Sequence, residues 1–166
     1  MRIKRRHRLK TREVRRLISD VASIPSLKGK SDLDEDALVE VVEYQRGGVL
    51  YLVKGEPSYA RVKNNLIPVL TNTTLIDGIP KVTVDMGAVP HICNGADIMA
   101  PGVVRVSDDF EKGTLVAVVD EQHGKSISVG RTLVDSKDMR RARRGKVIEN
   151  LHYVGDQLWD ALKECC

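Results

Sequence analysis

From Lys81 onward the apolar residues come in short β-branched runs, each closed by turn formers. Lys81–Asp85 alternates in polarity, Val103–Val106 is apolar, and Thr114–Val119 and Ser126–Val129 flank the turn Asp120–Gly124. Val147–Tyr153 supplies a closing strand. Punctuation this dense restricts this half of the chain to a small barrel or sandwich of short strands. Two segments break the pattern. Met86–Gly102 carries glycines at 87, 95 and 102 and prolines at 90 and 101, and Asp135–Arg144 is a polar, basic stretch compatible with a helix.

The first half reads as α+β. Between Thr11 and Ser23, Val14, Leu17, Ile18 and Val21 recur at helical spacing, one buried stripe with Arg12, Arg15 and Arg16 on the other side. Pro25 and Gly29 close this helix. Leu38–Tyr44 and Val49–Val53 are hairpin strands around Gln45-Arg46-Gly47-Gly48, whose glycine pair is expected to supply the positive φ of the turn. Glu56-Pro57 is expected to end the hairpin. Tyr59–Leu70 is a strand or a short helix interrupted by Pro68, and Thr71–Thr74 reads as a linker. The expected division is residues 1–76 and 77–166.

Aromatic residues make up 4% of the chain, so the core must come from Val, Leu, Ile and Ala, and base stacking cannot be the main grip on a nucleic acid. No apolar run approaches the roughly 18 residues that span a bilayer. The basic start lacks the apolar stretch of a secretory signal. Three cysteines without framework spacing point to a reducing compartment, so a soluble cytoplasmic protein with no membrane partner is expected.

Charge is unevenly spread. Residues 1–16 hold nine Lys/Arg and one acid, a net of +8, and the total of +4 leaves −4 for the rest. Asp32–Glu43 holds six acids and no base, and Lys137–Lys146 six bases and one acid. Two separated basic clusters suit contact with a polyanion at chosen places. The plainer alternative is a set of solvated helix faces or a flexible tail.

Enzymatic chemistry finds little support. Gly124-Lys125-Ser126 lacks the earlier glycine of a phosphate loop, with Val at 119, and is read as a hairpin turn. A metal site from His91, Cys93, Cys165 and Cys166 is geometrically conceivable, but terminal cysteines are usually mobile, so neither a metal nor a cofactor is expected. No nucleophile, base and orienting group can be assembled. In Met86–Gly102, turns at glycine leave amide N–H groups outward for phosphate oxygens and let a backbone approach closely. The alternative is that these glycines only close tight turns.

The run Lys81-Val-Thr-Val-Asp-Met-Gly-Ala-Val-Pro-His-Ile-Cys-Asn-Gly-Ala-Asp-Ile-Met-Ala-Pro-Gly-Val103 resembles the opening of a PUA domain. Phe110, Lys112-Gly113, Ser128-Val129-Gly130 and Arg144-Gly145-Lys146 follow in the same order as in that family. Adding Gly55-Glu56-Pro57-Ser58-Tyr59 and Ile148–Trp159, the chain resembles the malignant T-cell-amplified-sequence family, a pre-PUA domain followed by a PUA domain. The start Lys4-Arg-Arg-His-Arg-Leu9 is similar to its archaeal, stand-alone branch, and the likeness is looser over residues 20–45.

The resemblance implies an α+β pre-PUA domain followed by a mostly-β PUA pseudobarrel that binds structured RNA without catalysis. It implies contacts from Gly87, Ala88, Asn94, Gly95, Ala96, Asp97 and Met99 on the glycine-containing loop, with Arg131 opposite. Charge alone adds Arg140, Arg141, Arg143, Arg144 and Lys146. The implied partners are tRNA or ribosomal RNA in translation initiation or recycling, the small ribosomal subunit, and a separate initiation-factor-like protein, since that domain is absent before Cys166. The competing readings are an accessory subunit or enzyme of RNA modification, and a ribosome-associated adaptor that docks through the acidic Asp32–Glu43 face.

Overall fold

The computed structural model describes residues 3–27 and 33–165, which divide into two compact units. The described residues up to Gly78 form one unit together with the closing helix Gln157–Cys165, and Ile79–Asp156 form the other. The closing helix thus groups with the first unit, although the expected second domain runs on to residue 166. Among the described residues no helix is long and apolar enough to cross a membrane.

In the first unit five strands, β1 (Ile3–Arg8), β2 (Val39–Tyr44), β3 (Gly48–Val53), β4 (Glu56–Val62) and β5 (Asn65–Pro68), form an antiparallel meander in chain order. Helix α1 (Thr11–Ala22) follows β1 and buries Val14, Leu17 and Val21, the stripe its spacing predicts. Each such side chain contributes roughly 1.5–3 kcal/mol on burial. Whereas Arg12, Arg15 and Arg16 lie exposed on α1, the segment Ile3–Arg8 of the basic run is neither a tail nor a helix face. It is an edge strand antiparallel to the acidic β2, with Arg6 forking onto Glu40 at 2.7 and 3.2 Å. The Arg6 hydrogen bond and charge outweigh the small effect of burial and hold the Glu40 carboxyl below its ordinary range. Arg15 lies 3.6 Å from Glu35, so two acids of the supposed docking face already meet cations inside the unit. Gly29 and Asp32 lie outside the described residues.

Four local expectations change here. In the β2–β3 turn the positive φ values belong to Arg46 and Gly47, whereas Gly48 is extended. Gly48 is needed because a Cβ there would fall 2.1 Å from the Tyr44 ring. Glu56-Pro57 opens a strand rather than ending one, since Lys54 and Gly55, both at positive φ, make the turn before it. Pro57 is tolerated at a break in the β3–β4 register. Residues 59–70 are neither one strand nor a helix: Lys63 and Asn64, at φ 49 and 64°, turn β4 directly into β5. The supposed linker instead starts helix α2 (Thr73–Asp77), because Asn72 accepts from Leu75 N while its amide donates to the Pro57 carbonyl and Ser58 Oγ.

The second unit is a six-stranded sheet that curls into a pseudobarrel. Its strands are β6 (Lys81–Val84), β7 (Ile98–Met99), β8 (Val103–Val106), β9 (Leu115–Asp120), β10 (Ser126–Thr132) and β11 (Lys146–Tyr153). They lie in the order β7-β11-β10-β9-β6-β8, antiparallel except for β6 beside β9. Val82, Val84, Val116, Val118, Ile98 and Ile148 fill the interior, closed by Ile92 of α3 (Val89–Ile92) and Met139 of α4 (Ser136–Arg141). The aliphatic core expected from the composition is present. The closing helix α5 (Gln157–Cys165) buries Leu158, Ala161 and Leu162.

Gly124-Lys125-Ser126 closes the β9–β10 hairpin, which buried Asp120 organises by accepting from the backbone N–H groups of His123 and Lys125. The His123 N–H leads the effects that hold this carboxyl below its ordinary range. A lowered folded-state pKa gives stability that is full above the unfolded value near 4 and lost as pH falls through the folded value. The urea midpoint of Asp120→Asn should therefore fall less steeply between about pH 4 and pH 2 than that of the parent. Parallel acid limbs would show that Asp120 contributes nothing to acid sensitivity.

Candidate nucleic-acid interface

The loop entering α3 is set by Asp85, whose Oδ1 accepts from Ala88 N at 2.8 Å. This leaves Gly87 exposed at the bend. Pro90 sits in the first turn of α3, where no intrahelical donor is needed. The helix ends at once in a turn through Asn94 and Gly95, and Ala96 N returns to the His91 carbonyl at 3.0 Å. Gly95 has φ +98°, and a Cβ there would lie 3.1 Å from the Tyr153 hydroxyl. Its lack of a side chain therefore serves the turn, whatever approaches from outside.

Asn150, on β11, is the residue that sequence reasoning missed. Its amide donates to the Ile92 carbonyl at 3.1 Å and the Ala96 carbonyl at 2.9 Å, and its Oδ1 accepts from Ser128 Oγ at 2.8 Å. Its backbone N–H donates to Asp97 Oδ1 at 2.9 Å. One buried side chain thus pins both ends of the turn after α3 to the sheet. The available signal was a polar pair, Glu149 and Asn150, inside the apolar run Val147-Ile-Glu-Asn-Leu151, with Asn150 carrying no charge to hold it at the surface.

Beside this loop lies an open groove of about 440 Å³, lined by Ala88, His91, Ala96, Asp97, Met99 and Gly102 among others. Met99 stays 45% exposed, high for so large an apolar side chain. Asn94, Gly95 and Ala96 are exposed, and Asp97 is half-buried. Burial pushes the thiol of neighbouring Cys93 up, keeping it protonated. Among the described residues no three His, Cys, Asp or Glu side chains are placed to hold an ion, and Cys166 lies outside them.

The β7–β11 pairing joins this groove to the second basic cluster. Lys146 stands opposite Met99 in register, and the Gly145 carbonyl accepts from Ala100 N at 2.8 Å. Arg143 and Arg144 therefore lie on the segment that runs into the groove's edge. Arg141, Arg143 and Arg144 are exposed and have no side-chain partner among the described residues. Lys146 Nζ is 3.2 Å from Asp97 Oδ2, across the groove wall.

Two predicted residues are committed elsewhere. Arg140 donates to the Val106 and Asp108 carbonyls, each at 3.0 Å, and to Asp109 Oδ1 at 2.8 Å. It caps the outer strand β8 and fixes the loop after it, as a charged side chain guarding a sheet edge does. Arg131 donates to the Gly113 carbonyl at 2.6 Å, at the turn before β9.

A small curled sheet with a glycine-bearing helix–loop beside its last strand defines a PUA domain, and the PUA family matches residues 80–154. Residues 5–76 match the domain of unknown function DUF1947. An uncharacterised protein of Methanocaldococcus jannaschii is 42% identical over 114 residues, covering 67% of this chain and 69% of its own. Translation machinery-associated protein 20 of Saccharomyces cerevisiae is 30% identical over 129 residues, covering 74% and 71%. The crystal structure of a hypothetical protein of Pyrococcus horikoshii superposes with TM-score 0.77 at 30% identity, over 95% of this chain and 99% of that one. The chain belongs to the family that joins a DUF1947, pre-PUA-like domain to a PUA domain, with translation machinery-associated protein 20 and the malignant T-cell-amplified sequence proteins as relatives. The PUA domain brings RNA binding as the function class of the second unit.

Proposed function

We propose that this protein is a non-enzymatic, cytoplasmic RNA-binding protein of the translation machinery. It takes an unpaired RNA end into the groove beside α3 and holds the adjoining phosphates on Arg141, Arg143, Arg144 and Lys146. The observation that carries the reading is the β7–β11 pairing, which brings unpartnered arginines to the edge of an apolar groove with an exposed methionine. A groove of about 440 Å³ suits a nucleotide or two, not a duplex. The ligand class is therefore a structured RNA with a free end, of which tRNA is the foremost instance and ribosomal RNA the other. Cations that bind phosphates add affinity without reading sequence, and the groove supplies the fit.

The name of translation machinery-associated protein 20 supports a place in translation. Initiation or recycling on the small ribosomal subunit, with a separate initiation-factor-like partner, is the finer role that the family resemblance implies. RNA modification has less support, because among the described residues no nucleophile is placed with both a base and an orienting group.

Gly87 gives the cleanest test of the groove. A Cβ there meets only Asp85 Oδ1, at an ordinary 3.4 Å, and the residue is exposed. Gly87→Leu should melt within about 2 °C of the parent yet bind tRNA roughly tenfold more weakly, about 1.4 kcal/mol. Unchanged affinity in this folded variant would remove the α3 loop from the interface. Gly95 is unsuited to the purpose, because strain at its positive φ would confound binding with stability.

A further inference from the structure

The first unit holds its own cavity, about 430 Å³, between α1 and one face of the meander, within the range of small-ligand clefts. Strand register explains its walls. His7 stands opposite Val41 and Val41 opposite Tyr51, while the neighbouring row runs Arg5, Glu43, Val49, Arg61. Directly paired residues stand side by side on one face. The floor is therefore Val41 and Val49, with Leu17 of α1 opposite and polar groups around it.

Three of those polar groups are set up for a ligand. Glu43 stands between Arg5 and Val49 in its row, with Arg61 one strand beyond, and its carboxylate has no side-chain partner among the described residues. His7 Nδ1 is buried with no hydrogen-bond partner, a cost that a bound donor or acceptor would remove. Arg61 is held flat by Tyr51 Oη at 3.0 Å and Asp20 Oδ2 at 2.5 Å, which gives the cavity a rigid guanidinium wall.

The rim selects the sign of the ligand. Arg16, which lines the cavity, and Arg5, beside Glu43 in its row, are exposed and without side-chain partners among the described residues, within a stretch whose net charge is +8. That field repels a lysine or arginine offered by a partner protein and attracts a phosphate. The other lining carboxylate, Glu13, already accepts from Lys10 N at 3.2 Å, so an apolar floor with the open, acceptor-only Glu43 inside and cations outside matches one nucleotide. Among the four bases, guanine alone presents two adjacent donors, N1–H and the N2 amine, to both oxygens of a carboxylate.

We propose that this cavity is a second RNA contact, a slot for one unstacked guanine nucleotide whose base lies on Val41 and Val49 against Glu43 and whose phosphate rests on the rim arginines. It rests on the RNA-binding reading only for the polymer that would deliver the nucleotide. The test is a titration of the full-length, ¹⁵N-labelled chain with GMP, AMP, CMP, UMP or inorganic phosphate, followed by amide shifts. Concentrations should reach about 10 mM, above the ~1 mM dissociation constant expected of a lone mononucleotide. GMP should shift His7, Leu17, Glu43, Val49 and Tyr51 at several-fold lower concentration than AMP, and Glu43→Gln should weaken GMP about tenfold while leaving AMP unchanged.

The proposal is overturned if inorganic phosphate alone reproduces the shifts, if the four nucleotides act alike, or if N-acetyl-lysine amide fills the cavity and GMP does not. It also falls if GMP leaves the first unit untouched while tRNA shifts the residues around Met99, a result that preserves the reading of the second unit. The reverse pattern, GMP in the first unit and no tRNA response around Met99, keeps this proposal and removes the other.

Discussion

Replacing Arg141, Arg143 and Arg144 together with Ala should weaken binding of structured RNA about a hundredfold near 0.1 M salt. It should also flatten the slope of log affinity against log salt by roughly 2 to 3, since each phosphate contact contributes about 0.7–0.9 to that slope. All three guanidinium groups are exposed and without side-chain partners among the described residues, so removing them should leave the melting temperature nearly unchanged. Arg140 makes the control. Its three hydrogen bonds serve the β8 edge, so Arg140→Ala should cost about 1–2 kcal/mol of stability and leave the salt slope alone. A triple variant with the parent's slope would take the cluster out of the interface. A flattened slope in Arg140→Ala would put that arginine back in it.

Asn150→Leu should strongly destabilise the second unit. It keeps the branched shape and the number of heavy atoms but leaves the Ile92 and Ala96 carbonyls and the Ser128 hydroxyl without their partner. Each buried group left unsatisfied costs roughly 1–3 kcal/mol, and partial relaxation brings the expected total to about 3 kcal/mol. For a unit of this size that is a fall of roughly 12–24 °C in melting temperature. Below the new midpoint, RNA affinity should also drop, because the turn after α3 has lost its tie to β11. A melting temperature within about 3 °C of the parent would mean that water or a rearranged loop replaces the network.

Much of the second unit was legible because its signals are local. Lys81–Asp85, Val103–Val106 and Val147–Tyr153 alternate or run apolar between turn formers, and the structure forms strands there. Strand β1 was illegible, because Ile3-Lys-Arg-Arg-His-Arg8 has no alternation of polarity and becomes a strand only through its acidic partner β2. Asn72 failed as a linker residue for a similar reason, since its amide meets Pro57 and Ser58, 15 and 14 residues away. The groove residues came from the resemblance, because glycine turns alone fit a plain loop equally well. That Arg140 differs from Arg143 could not be read from the chain. Both belong to one basic run, and only the fold brings Val106, 34 residues away, to the first of them.

The central claim is that the groove beside α3 receives an unpaired RNA end while the neighbouring arginines hold the phosphates. The most direct test is the affinity of the full chain for one tRNA, with its 3′ CCA intact or trimmed, across a range of salt. Trimming should weaken binding about tenfold or more, roughly 1.4 kcal/mol, with the salt slope nearly unchanged because the stem phosphates remain. Equal affinity for both forms at every salt concentration, with salt abolishing both, would contradict the claim and leave only a sequence-neutral electrostatic contact.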